Sequence, residues 1–150
     1  MITEKDLTTY CGIYCGDCPR YKAKFADMCV DISEEFERSH FSELAQVIEI
    51  NNKEFQGYDK ALLLLKSISS LKCNAPCRLG SGKAKNCEVI KCNKSKNIDG
   101  CWDCDDFEEC KKLDFLKHFC GDAPIKNIRK IKKYGVENWA THREKQYPWL

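Results

Sequence analysis

No apolar run in this sequence is long enough to cross a bilayer. The longest, residues 61–65, falls far short of the roughly 20 residues that a spanning helix needs. The opening stretch MITEKDLTTY lacks the apolar segment of a secretory leader. A cytoplasmic, reducing setting is therefore expected, with no membrane association. Reaction signatures are missing as well: there is no H-E-x-x-H, no phosphate-cradling glycine loop and no Ser/His/Asp arrangement. The histidines His40, His118 and His142 stand at no familiar ligand interval from a cysteine. No βαβ alternation is present, so the large α/β enzyme folds are excluded.

Cysteine is what the chain has in excess. Twelve in 150 residues approaches the density of a cross-linked chain. Under reducing conditions such clusters read as metal ligands before disulfides. The length suits a single domain, 1–150, with a modest core. The formal charge of +2 counts every thiol as neutral. Each four-thiolate zinc site would lower it by about 2, so this is not a globally basic, nucleic-acid-seeking chain.

Apolar spacing predicts helices between the two cysteine-rich regions and after them. One is expected to start behind Cys18, with Pro19 in its first turn, and to run to about Phe36. A second, from Phe41, carries Leu44, Ala45, Val47 and Ile48 and ends at Asn51. A third, 59–71, has Leu64, Leu65, Ile68 and Leu71 as its stripe. Residues 72–104 show almost no apolar periodicity, and 78–86 read as a loop, so order there is expected to come from the cysteines. Further helices are expected over 105–118, over 122–134 with Ile125, Ile128 and Ile131 facing inward, and over 136–146. Gly135 suits the C′ position of the second of these.

Two C-x2-C pairs, Cys15-Gly-Asp-Cys18 and Cys101-Trp-Asp-Cys104, carry the strongest chemical signal. A two-residue spacer lets both sulfurs face one ion, the recurrent half-site of tetrahedral zinc. Between them lie Cys73 and Cys77, then Cys87 and Cys92. The last two are about 140° apart on an ideal helix and converge only if the segment bends. Sequence proximity gives one set of Cys87, Cys92, Cys101 and Cys104, and a second of Cys15, Cys18, Cys73 and Cys77. Cys11 or Cys110 is able to replace a member of either set, while Cys29 and Cys120 read as buried thiols. A structural zinc site supplies roughly 10–16 kcal/mol, comparable to the whole stability of a domain, so metal would account for the folding of 72–104. The triplet spacing of Cys11, Cys15 and Cys18 is that of a radical iron–sulfur enzyme, but the chain lacks the barrel which that chemistry uses. Cys18, next to Pro19 at an expected helix start, also suits a reactive thiolate.

Charge is distributed in blocks. Residues 72–96 hold seven basic residues against one acidic, and 111–150 hold ten against four. A −6 stretch at 99–110 separates them. The basic segments 72–96 and 126–133 are candidate contacts for a protein or nucleic acid, or else solvated faces.

The ordered set C-G-I-Y-C-G-D-C-P, then Cys73 and Cys77-Arg78, then Cys87, Ile90 and Cys92, then Cys101, Cys104, Phe107 and Cys110 resembles a cysteine-rich prokaryotic family, domain of unknown function 3795. The resemblance spans about residues 8–118 and leaves 119–150 as a basic helical extension. Where the family pattern has C-x2-C, Cys73 and Cys77 have three residues between them. The resemblance implies a small zinc-binding protein with no assigned reaction.

The sequence therefore leads to a mainly α domain with a cysteine-rich, loop-dominated region. That region would hold one or two structural zinc ions in a non-enzymatic interaction module. The alternative is a redox protein or enzyme using an iron–sulfur cluster or a reactive thiol.

Overall fold

The structure, a computed structural model, describes residues 1–80 and 85–149. It is mainly helical, with α1 Glu4–Leu7, α2 Lys24–Arg38, α3 Phe41–Glu49, α4 Tyr58–Ser69, α5 Glu88–Lys96, α6 Lys117–Cys120 and α7 Ala123–Tyr134. Short 3-10 turns join them, and among the described residues there are isolated β-bridges but no strand. No described helix is long and apolar enough to cross a membrane.

The contacts fall into two compact units, residues 22–72 and the combination of 1–21 with 73–150. In the first, α2, α3 and α4 gather the rings of Phe36, Phe41 and Tyr58, with Phe36 and Phe41 stacked at 4.7 Å. Ala26, Cys29, Ser33 and Ala45 are buried. The stripe expected on α4 is turned. Leu65 and Ile68 are half-buried, whereas Leu64 is 59% exposed and Leu71 40%. Residues 19–21 do not join α2, because Tyr21 pairs with Cys73 as a parallel bridge and the Arg20 carbonyl accepts from the Cys73 N–H at 2.7 Å. That pairing needs extended backbone, so the helix starts only at Lys24.

The core of the larger unit is built on Trp139, Ile128 and Ile131, all essentially inaccessible, with Tyr14, Val89, Trp102, Phe107 and Leu113 around them. Helix α7 follows the expected pattern, and Gly135, with φ +80°, stops it. Gly12 also has φ +80°, and a Cβ there would lie 2.9 Å from Ile128 Cγ1. Only glycine lets the first cysteine loop approach α7 this closely. The Asn127 amide fixes the approach by donating to the Gly12 carbonyl at 2.9 Å.

Three expectations are corrected here. Residues 88–96 form a helix that buries Val89 and Ile90, so the 72–104 segment contributes apolar core as well as thiols. Residues 105–118 are not one helix but 3-10 turns at Phe107–Glu109 and Lys111–Leu116, followed by α6. Phe107 and Leu113 are both buried, yet six residues on an ideal helix put them about 120° apart. Extended backbone at Cys110 (φ −73°, ψ 105°) between the turns brings both inward. Residues 136–146 keep only a 3-10 turn, Trp139–His142. The chain beyond it is drawn out by contacts to the first cysteine loop. The expected loop at 78–86 begins as the turn Cys77–Leu79, and its residues 81–84 lie outside the described residues.

Candidate metal centre

The two C-x2-C segments fold alike. Cys15–Asp17 and Cys101–Asp103 each make one 3-10 turn. The Cys18 N–H donates to the Cys15 carbonyl at 3.1 Å, and the Cys104 N–H to the Cys101 carbonyl at 3.2 Å. In both, the first cysteine is buried and the second half-buried. The aspartate inside each turn serves structure. Asp103 accepts from the Asp99 N–H at 3.1 Å, and Asp17 is gripped by Arg143.

Around the second knuckle, Cys92, Cys101, Cys104 and Cys110 all line one cavity of about 410 Å³. They reach it from α5, from the knuckle and from the extended joint between two 3-10 turns. Two of the sulfurs already accept nitrogen donors: Asn93 Nδ2 lies 3.4 Å from Cys101 Sγ, and Lys96 Nζ lies 3.3 Å from Cys104 Sγ. Burial pushes the Cys101 thiol up to about 12, with the charges of Cys11, Cys110 and Cys104 adding to the rise and the Asn93 donor opposing it. The sulfur of Cys104 holds the Lys96 ammonium above its ordinary value. Asn93 spends its other donor on the Val89 carbonyl at 2.7 Å. Its Oδ1 is left buried without a partner, a group whose retention packing alone does not explain.

Cys87 is not in this wall. It is the N-cap of α5, outside the cavity lining, and its charge acts on Cys11 and Cys77. The regular helix after it imposes the angular separation that sequence spacing warned of, and Cys110 lines the cavity in its place.

The remaining thiols gather near the first knuckle. The Cys77 N–H donates to the Cys15 sulfur, while burial, then the charges of Cys18, Cys73 and Cys11, push that thiol up to about 11. Burial likewise raises Cys77 to about 12, followed by Cys15, Cys11, Cys73 and Cys87. Cys15, Cys18, Cys73 and Cys77 thus share a neighbourhood, with Cys11 and Cys87 beside it. Cys11, raised chiefly by burial, sits 3.1 Å from the Thr9 hydroxyl. Cys29 and Cys120 are buried, as expected, and Cys29 belongs to the other unit. His40 and His118 are exposed, and His142 stacks on Tyr134 at 3.8 Å.

Sequence reasoning missed Asn93, Lys96 and the clamp on the first knuckle. Lys96 had a readable signal, since it follows Cys92 by four residues on one helix face. The clamp had none. Gln146 pairs its amide with both backbone groups of Tyr14, at 2.5 and 3.1 Å, and the buried Tyr147 hydrogen-bonds Cys18.

Residues 7–115 match the family model described as "Protein of unknown function (DUF3795)". The chain belongs to this family. No curated protein and no solved structure matches it. In this DUF3795 chain the matched segment holds every cysteine of both groups but stops short of Ile128, Ile131 and Trp139. The three largest fully buried side chains of the larger unit therefore lie beyond it, packed against Tyr14, Val89, Trp102, Phe107 and Leu113 from within the match.

Thiols are the donors that select zinc, copper(I) and iron–sulfur clusters, so the chemistry of the cavity wall fits a soft metal centre. Among the described residues, no three cysteine, histidine, aspartate or glutamate side chains are gathered as tightly as a single ion requires.

The basic segments are largely engaged within the chain. Arg78 lies between the Tyr10 and Trp102 rings and bonds the Thr8 and Asp99 carbonyls. Arg129 pairs with Glu108 and Lys130 with Glu144, while Lys132 lies over the Phe107 ring. Lys83 is outside the described residues.

Proposed function

We propose that this protein is a metal-binding module whose larger unit is organised by cysteine-held metal. Zinc is the ion expected from the knuckle spacing, and an iron–sulfur cluster is the alternative. The observation that carries the reading is the cavity with four cysteines in its wall, two of them already accepting N–H donors. Cys92, Cys101, Cys104 and Cys110 would be the ligands there. Cys15, Cys18, Cys73 and Cys77, with Cys11 or Cys87 as substitutes, would form the second group. A bound metal would replace four thiol protons and tie three backbone elements together, a structural role.

A protein partner suits the remaining surface better than nucleic acid. Much of the cationic charge is engaged internally, while Leu63, Leu64, Val47 and Ile50 stand exposed on the smaller unit. The test is metal analysis of the full-length protein purified without oxygen or chelator. Bound zinc or iron near stoichiometry is expected, with a large loss in Cys101→Ser. A metal-free wild-type protein that folds normally would remove the proposal.

A further inference from the structure

The four cysteines around the second knuckle differ from a compact zinc site in one respect. A tetrahedral ion binds thiolate sulfur at roughly 2.3 Å. Four sulfurs on one ion therefore close into mutual contact and leave nothing between them. Here Cys92, Cys101, Cys104 and Cys110 instead border a cavity of about 410 Å³. They line it from three elements: α5, the knuckle turn and the joint between two 3-10 turns. A cubane cluster needs this arrangement: each cysteine binds a different iron, and the sulfurs surround the inorganic core without touching.

The rest of the wall agrees. Val89, Ile98 and Phe107 give it apolar surface, and Lys96, Lys111 and Lys112 bring positive charge. Asp106 and Glu109 also line it and offset part of that charge. Four thiolates on a dicationic core leave a net charge of about −2, and the three lysines less the two carboxylates offset about half of it. The Asn93 and Lys96 donors on Cys101 and Cys104 are N–H···S hydrogen bonds of the kind that tune such clusters.

We infer that this cavity takes a [4Fe–4S] cluster on Cys92, Cys101, Cys104 and Cys110. The inference rests on the proposed reading that these cysteines bind metal, and it names the class of cofactor. Loading from a preformed cubane carrying small thiolate ligands balances without an oxidant. Four Fe–S bonds to the small thiolates break and four to cysteine form. The four cysteine protons leave on the released thiols, and the irons keep their oxidation states.

The test is anaerobic exposure of the full-length chain to a mercaptoethanol-ligated [4Fe–4S] cubane and, separately, to Zn²⁺ alone, followed by gel filtration. About four irons and four sulfides per chain should be retained, with brown absorbance. Cys104→Ser and Cys110→Ser should each lose most of it and Cys29→Ser should not. Alkylation of the loaded wild-type protein, mapped by mass spectrometry, should find Cys92, Cys101, Cys104 and Cys110 protected, a readout that needs no variant to fold. Protection centred on Cys15, Cys18, Cys73 and Cys77, or retention in both variants, would overturn the assignment. Rejection of the cubane, with one zinc held by the same four cysteines, would sink the cluster and leave the metal reading standing. Binding of neither would end both.

Discussion

Arg143 holds Asp17 through two hydrogen bonds, Nε to Oδ2 at 2.7 Å and Nη2 to Oδ1 at 2.8 Å, across 126 residues of sequence. Asp17 lies inside the first knuckle, and the guanidinium also sits 4.4 Å from the centre of the Tyr14 ring. The C-terminal residues therefore set the geometry of Cys15 and Cys18. Arg143→Ala should lower stability by about 1–3 kcal/mol, the range for hydrogen bonds involving charged groups. Arg143→Lys should recover only part of this, because a point charge cannot make the two-pronged contact. Urea denaturation measures both. An Arg143→Ala midpoint equal to wild type would show that the clamp is idle.

Arg78 makes a case in which charge conservation is no protection. Its side chain is 8% exposed, lies between two aromatic rings and donates to the Thr8 carbonyl at 2.6 Å. Arg78→Lys keeps the charge but loses the planar stacking and the fixed fork of donors. A destabilisation of about 2–3 kcal/mol is expected, read as a drop in the denaturation midpoint. Lys91→Ala removes only an exposed pair with Glu88 and should change stability by less than about 0.5 kcal/mol.

What was legible in the sequence was whatever depends on near neighbours. The α3 and α7 boundaries followed from apolar period and end signals, and the two knuckles folded alike as their shared C-x-D-C pattern suggested. The separation of Cys87 from Cys92 was also readable as an angle, once the segment was allowed to be a regular helix. The polar spacing of 85–96 hid that helix, because Val89 and Ile90 are its only buried apolar residues and the third buried position is the polar Asn93. Contacts between distant segments left no local trace. Nothing near Asp17 announces Arg143, and nothing near Tyr14 announces Gln146. Those pairings are what keep 143–147 from being helical.

Asn93 is expected to matter to metal retention rather than to folding alone. Its amide donates to Cys101 Sγ at 3.4 Å from a side chain that is 1% exposed. Losing a hydrogen bond to a metal ligand typically weakens the site 10–100-fold. Asn93→Ala should accordingly release its metal at roughly tenfold lower chelator concentration, followed with a colorimetric chelator. Cys29→Ser, in the other unit, should release at the wild-type concentration. Equal release from Asn93→Ala and wild type would remove Asn93 from the site.

The raised thiols make the metal-free chain sensitive to alkali. Cys15 is held at about 11, and Cys77 and Cys101 at about 12, against an ordinary value of 9.0. Burial is the leading cause in each. Between those limits the unfolded chain has lost thiol protons that the folded chain still binds. The difference in bound protons sets the slope of stability with pH, so stability falls as pH rises. The contribution is fully present below about pH 9 and is lost progressively toward pH 12. In strong reductant and chelator, the urea midpoint should hold steady from pH 7 to about 8.5 and then decline. Metal-loaded protein should respond in the opposite sense over the neutral range. Its ligands must shed protons to bind, so retention against a chelator should improve from pH 6 to 8. A metal-free midpoint that stays level through pH 10 would show that these thiols are not held protonated by burial.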